Sequence, residues 1–303
     1  MSIALSAMLT ACFTGIESTP RITADDVRRS APSRLSAEES YLADIQPEKL
    51  SDWKAGKAFY VTDPRIGLAM NIAPAGASLA AGDTLRFREA ADVTSIMGEP
   101  AAELTFDGPR GITATFRSDV SMATLKSMPS VTVPFTVDLS LVGMTAARLA
   151  GKEFWIVSDE WLDLRRQPRR GRKFVRAKVT AVDRGDDVYP VCLTVVDLES
   201  SPADTFMLLM ALGNGEFTSS RRFASFFSLD DPHKRYPQIN DRMWNLIRNG
   251  KTGEGMTRLE VRLALGEPRD VQRRAGYSSL GEIWTYDNGR YLLFEDGLLK
   301  QAR

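Results

Sequence analysis

One histidine stands in the 303-residue chain, His233, within Asp230-Asp231-Pro232-His233-Lys234-Arg235-Tyr236. As a general base it would need a positioned nucleophile and an orienting acid, and its polar surroundings read instead as a connector between folded units. A single imidazole rules out a multi-histidine metal site and leaves one candidate base for a triad. The chain has no Walker loop, dinucleotide fingerprint, Cys-x-x-Cys pair or His-Glu-x-x-His helix. The sequence therefore carries no cofactor or metal motif, and a non-enzymatic protein is expected. Gly213-Asn-Gly215 is too short to cradle a phosphate and reads as a hairpin. Carboxylates are plentiful, so a two-acid hydrolase acting on glycans stays open as an alternative.

The other chemistry is that of thiols. Leu9-Thr10-Ala11-Cys12 closes an opening stretch, Met1 to Ala11, that has no charged side chain. This resembles the lipobox of bacterial lipoprotein precursors, in which small residues suit a processing peptidase and the cysteine thiol accepts the lipid. The resemblance implies a signal peptide over residues 1–11 and a mature chain that begins at a lipidated Cys12. Each buried methylene of an acyl chain contributes about 0.8 kcal/mol, and two chains anchor stably. Phe13 after Cys12, rather than Asp, fits sorting to the outer membrane by analogy with enteric lipoproteins; a body facing the periplasm is the expectation, which the residues themselves leave open. The longest apolar run elsewhere, Phe206-Met-Leu-Leu-Met-Ala-Leu212, falls far short of the roughly 20 residues a crossing helix needs. Cys192, in Val191-Cys192-Leu193-Thr194-Val195-Val196, reads as a buried strand residue.

Charge is balanced, 39 Lys and Arg against 39 Asp and Glu, so nothing draws the whole chain to nucleic acid. A charged partner must meet a local patch. The candidate is Arg165, Arg166, Arg169, Arg170, Arg172 and Lys173, continued by Arg176 and Lys178, with no acid among them. Gln167-Pro168 and Gly171 give its early part turn chemistry. Alternation with Phe174, Val175 and Val179 would point the later charges out of a strand. Two readings stand side by side. The run is a docking surface for phosphate-bearing lipid headgroups or an acidic partner, worth about 1 kcal/mol per charge near an anionic membrane. Or it is a solvated hairpin balanced by Asp159, Glu160, Asp163, Asp183, Asp186 and Asp187.

These side chains need a frame. The length favours two or three domains, and the segments point to three. Residues 12–50, rich in Ser, Pro and charge, read as a tether, with a capping box at Ser36 and Glu39. The next part repeats itself. Leu50 to Asp63 overlays Met144 to Asp159, each copy placing Gly-Lys before an aromatic strand (Gly56-Lys57 and Gly151-Lys152). Downstream, Gly82 to Phe87 parallels the stretch beginning Gly171 to Phe174, and Ala102 to Phe106 parallels Val191 to Val195. Both copies alternate like half-buried strands. The expectation is a mainly β fold: tandem small β domains at 51–142 and 143–236, SH3-like barrels or sandwiches, then an α+β domain at 237–303.

That last domain opens with a helix spaced from Ile239 through Arg248, capped at Asn240 or Asp241 and ended by Asn249-Gly250. A second helix starts at a Thr257/Glu260 capping box and stops at Gly266 before Pro268. Strands Glu282–Tyr286, Arg290–Phe294 and Leu298–Lys300 follow, joined by turns at Asp287-Asn288-Gly289 and Glu295-Asp296-Gly297. The order Gly-Met-Thr, Glu-Val, Leu-Gly-x-Pro, Glu-x-Trp-x-Tyr and Tyr-Leu-x-Phe-x-Asp-Gly-x-Leu resembles the SmpA/OmlA family of small outer-membrane lipoproteins. The resemblance implies an α-α-β-β-β module and a role in binding other envelope proteins, since members include an accessory subunit of the machinery that inserts β-barrel proteins. The expected function is therefore that of an outer-membrane scaffold or protein-interaction lipoprotein. A periplasmic ligand-binding or sensor lipoprotein, using a cleft between the β domains, is the alternative.

Overall fold

Ser36 begins the folded body because its hydroxyl accepts the Glu39 N–H while the Glu39 carboxylate accepts the Ser36 N–H, which fixes helix α1 (Ala37–Ser40). The computed structural model describes residues 35–95, 97–212, 221–275 and 280–303, and Ser36–Arg303 packs as one compact body within which three sheet-based units follow one another. Cys12 with its lipobox and the Gly213-Asn-Gly215 hairpin lie outside the described residues. The fold is mainly β, with three antiparallel sheets among the described residues. No helix there is long and apolar enough to cross a membrane.

The first sheet holds β1 (Ala58–Val61), β2 (Asn71–Ala73), β3 (Thr84–Thr94), β4 (Pro100–Asp107), β5 (Thr113–Ser118) and β6 (Thr136–Asp138). Helices α2 (Ile66–Ala69) and α3 (Met122–Ser127) are inserted between its strands. Helix α4 (Leu139–Leu149) then leads to the second sheet. Its strands are β7 (Glu153–Ile156), β8 (Glu160–Leu162), β9 (Pro168–Arg170), β10 (Val175–Arg184), β11 (Val191–Asp197), β12 (Asp204–Met210) and β13 (Phe227–Ser228), the last preceded by α5 (Phe223–Phe226). The first sheet runs β6-β1-β3-β4-β5-β2, the second β13-β7-β10-β11-β12-β8-β9. Strand for strand the two orders coincide, with β9 added at one edge of the second.

The registers coincide as well. The Gly56 N–H bonds to the Phe87 carbonyl at 2.7 Å and the Phe87 N–H to the Lys57 carbonyl at 2.8 Å; Gly151, Lys152 and Val179 repeat both bonds at 2.8 and 3.0 Å. A bulge follows Phe87 in β3 and Val179 in β10. This makes Phe87 the equivalent of Val179 and Gly82 the equivalent of Phe174, three residues from the Gly82/Gly171 alignment expected from the sequence. Two glycines had suggested the wrong match. Gly82 and Phe174 donate equivalent bonds, to Val61 and Ile156, and both have positive φ, 104° and 55°. Phe174 adopts a conformation that costs a non-glycine residue about 1–3 kcal/mol, and its ring packs 5.6 Å from Trp244 in the third core.

Each sheet has its own aromatic core. Trp53, Phe59, Phe87 and Phe106 meet in the first, and Trp161 stacks on Phe206 at 3.6 Å in the second. Two domain boundaries need correction. The tether assigned to residues 12–50 ends earlier, because Leu42 and Ile45 are buried in the second core, Leu50 in the first, and Tyr41 stacks on Phe223 at 4.6 Å. Polar neighbours had masked these few apolar positions. The 142/143 boundary falls inside α4, whose Leu141 and Leu149 also belong to the second core.

The third unit contains α6 (Pro232–Arg235), α7 (Asp241–Arg248), α8 (Arg258–Leu265) and the meander β14 (Asp270–Ala275), β15 (Leu280–Thr285), β16 (Tyr291–Glu295), β17 (Leu298–Ala302). Asn240 caps α7, and Thr257 with Glu260 forms the expected capping box on α8. The sheet has four strands where three were expected. Strand β14 was missed because Asp270 to Arg273 at this sheet edge are all exposed and show no polar–apolar alternation. Asp296 and Gly297, with φ of 49° and 84°, turn the last hairpin, as Asp-Gly does where two left-handed residues are required.

Candidate functional site

The basic run folds as the β8–β9 hairpin and the segment that leaves it, and the fold sorts its six candidates. Asp163 accepts the backbone N–H groups of Arg165 and Gln167, both at 2.8 Å, which closes the turn. Arg165 stays exposed at its tip. Arg166 reaches back to the Arg184 carbonyl at 3.2 Å. Arg169 clasps Asp204 with two bonds, 2.7 and 3.1 Å, and lies over the Trp161 ring. Arg170 pairs with Asp159 at 3.0 Å, and Arg172 with Asp197 at 2.6 Å. Asp197 is 1 % exposed, so Arg172 neutralises a carboxylate inside the fold.

Lys173, expected to point outward, is buried. Its N–H donates to the Arg248 carbonyl at 2.9 Å, which draws the chain from the hairpin into the junction with the third unit. Burial pushes its ammonium pKa down, opposed by Asp159. Among the described residues Arg165, Arg166 and Lys173 of the six lack a carboxylate within ion-pair distance, and Lys173 is buried, so the continuous cationic strip shrinks to a hairpin tip.

Beside this hairpin lies a cleft of about 300 Å³ between the second sheet and the third unit, lined by Asp159, Arg170, Gly171, Asn249, Gly250, Ala264, Leu265, Tyr286, Asn288 and Arg290. Its lining comes from four places in the fold: the hairpin base, the ends of α7 and α8, and the β15–β16 turn. Tyr286 donates to the Gly266 carbonyl at 3.2 Å, and burial pushes its phenol pKa up to about 12. The Arg290 guanidinium reaches the Thr252 hydroxyl at 2.6 Å. Sequence reasoning missed Asn249, Tyr286, Asn288 and Arg290, because helix-end and hairpin-turn composition accounts for them locally. Between the first two sheets, where a ligand cleft was the alternative expectation, there is a pocket of about 130 Å³ lined by residues that include Trp53, Phe59 and Pro190.

Next to that small pocket Lys57 ties the start of β1 to the end of β6, the start of α4 and the segment before β1. Its ammonium meets Asp138 at 2.7 Å, Glu48 at 3.0 Å and the Ser140 hydroxyl at 2.8 Å, and the side chain is 6 % exposed. Burial of an ammonium requires this many acceptors. Cys192 occupies a buried position in β11, and burial pushes its thiol pKa up.

His233 sits on α6 between Trp244 and Trp155, with ring centroids 4.4 and 5.4 Å away. Nδ1 lies 2.9 Å from Asp231 and Nε2 lies 2.9 Å from Arg248. Burial acts to raise the Asp231 pKa, but bonds from the His233 ring and backbone outweigh it and hold the carboxyl below its ordinary value. Both ring nitrogens are thus occupied by structural partners at the seam between the second sheet and the third unit. Comparison of the chain with protein-family models, curated proteins and solved structures gives no match.

Proposed function

We propose that the chain is a non-enzymatic cell-envelope lipoprotein, anchored in the outer membrane through lipid on Cys12 and facing the periplasm, that works as a protein-interaction scaffold. In this reading the C-terminal unit is a module of SmpA/OmlA type, and the two preceding units are tandem copies of a small SH3-like β fold. One observation carries the binding role. Helices α7 and α8 pack on the face of the third sheet that bears Trp284, Leu292, Phe294 and Leu299. Strand alternation turns Ile283, Leu293 and Tyr291 to the opposite face, where Ile283 and Leu293 are cross-strand partners and Tyr291 is exposed. An apolar stripe between polar rows is the composition expected of a docking surface.

The test is envelope cross-linking and pull-down of the tagged protein beside Cys12→Ala and Leu293→Glu variants, with palmitate-analogue labelling of Cys12. The expected result is labelling of wild type but not of Cys12→Ala, and a discrete set of barrel-assembly partners that both variants lose. Unlabelled wild-type protein would remove the anchor; an unchanged partner set in a folded Leu293→Glu variant would remove the sheet face.

The second reading, a periplasmic ligand sensor, is favoured by the cleft beneath the hairpin, where polar side chains of the hairpin, the α7 end and the β15–β16 turn converge. It would place the ligand against Asp159, Arg170, Tyr286 and Arg290, away from the seam between the first two sheets.

A further inference from the structure

The bond between His233 and Arg248 fixes a protonation state. A guanidinium only donates, so Nε2 must present its lone pair to Arg248, 2.9 Å away, and the ring proton must sit on Nδ1, donated to Asp231 at 2.9 Å. The junction is therefore built around a neutral imidazole. We propose that His233 is a proton-operated latch: protonation of its ring breaks the bond to Arg248 and loosens α7 against the second sheet.

A second proton would set an N–H of the imidazolium against an N–H of the guanidinium, with like charges, at a spacing that suits one donor and one acceptor. The surrounding charges decide which partner leaves. Asp231, on the same short element, holds the charged ring in place, and Lys234 acts on that carboxylate from beyond it. Strand β7 presents the Trp155 ring, and α7 presents Trp244 and Arg248. Arg248 has another carboxylate at hand, Glu199 after β11, at 3.5 Å. Acid thus turns Arg248 away from the ring towards Glu199. The carbonyl of Arg248 is the acceptor for the Lys173 N–H, so this movement pulls on the bond that ties the hairpin segment to the third unit. The latch is closed while the ring is neutral and open once it is protonated.

His233 is the only histidine, so one imidazole signal in a proton NMR titration reports the latch unambiguously. Amide hydrogen exchange at Lys173, Asn249 and Gly250, corrected for the intrinsic pH dependence, reads its consequence at pH 7.5 and 5.0. Loss of the charge-assisted bond to Arg248 weakens the backbone bond its carbonyl accepts, so exchange at Lys173 is expected to quicken about tenfold at the lower pH. His233→Gln cannot titrate and Arg248→Gln removes the clash, so both variants, verified as folded by circular dichroism, should lose this acceleration. Equal corrected rates at the two pH values in wild type, or the same acceleration in folded His233→Gln, would overturn the proposal.

Discussion

Replacing Lys57 by Met tests the buried charge cluster that joins β1, β6 and the start of α4. The substitution keeps the length of the side chain while deleting the ammonium, which also stands 5.7 and 5.6 Å from the Trp53 and Phe59 ring centroids. Removing one member of a buried pair costs about 3–5 kcal/mol, because the other charge is left in low dielectric. Two features reduce that figure here. Glu48 is 45 % exposed and regains water. Asp138, 12 % exposed, keeps the Ser140 N–H at 2.9 Å and hydroxyl at 2.6 Å at the start of α4. The expected loss is therefore about 2–3 kcal/mol. At about 2–4 °C per kcal/mol for a folded unit of this size, scanning calorimetry should show Tm lowered by about 4–12 °C. Asp138→Asn retains a capping oxygen, and combining it with Lys57→Met should recover at least about 1 kcal/mol relative to the sum of the single effects. A single-variant shift under about 1 °C, or strict additivity in the double variant, would refute the view that Lys57 is held by its carboxylates.

A methyl group added at Gly171 would occupy the Trp161 indole, which is fully buried and stacked on Phe206 at 3.6 Å. Gly171→Ala should therefore cost about 1–3 kcal/mol in urea unfolding and alter tryptophan fluorescence, whereas Gly143→Ala, in the middle of α4 with open space at its Cβ, should stabilise by up to about 1 kcal/mol. Burial acts to raise the pKa of Glu282, but the Trp284 indole N–H and the Arg258 and Arg273 guanidiniums outweigh it and hold the carboxyl below its ordinary 4.5. A depressed folded-state pKa gives stability that is present above the ordinary value and lost as pH falls through the folded-state value, so Tm against pH should decline below about pH 4, and Glu282→Gln should flatten that decline.

Several elements were legible in the sequence because their determinants are local. The capping boxes at Ser36/Glu39 and Thr257/Glu260, the Asn240 cap and the Asp296-Gly297 turn each depend on groups within three residues of one another. The buried character of Cys192 followed from the apolar run around it. The missed β14 shows the limit of that approach: an exposed edge strand is held by its neighbour's backbone, and backbone hydrogen bonds leave no periodic mark on side-chain type.

The candidate site lay beyond that limit. Arg165, Arg166, Arg169, Arg170, Arg172 and Lys173 are one cluster in sequence, yet their roles differ because Asp159, Asp197 and Asp204 reach them from separate strands or loops. The order of the three sheets along the chain is readable from residue types in a row. Whether a charge meets solvent, a counter-ion or an imidazole depends on chain segments brought together by apolar burial, and the electrostatic energy of each group follows those distances rather than sequence separation. His233 makes the same point: its sequence context reads as a polar connector, and only the packing of α7 against the second sheet places Arg248 on one nitrogen while Asp231 holds the other.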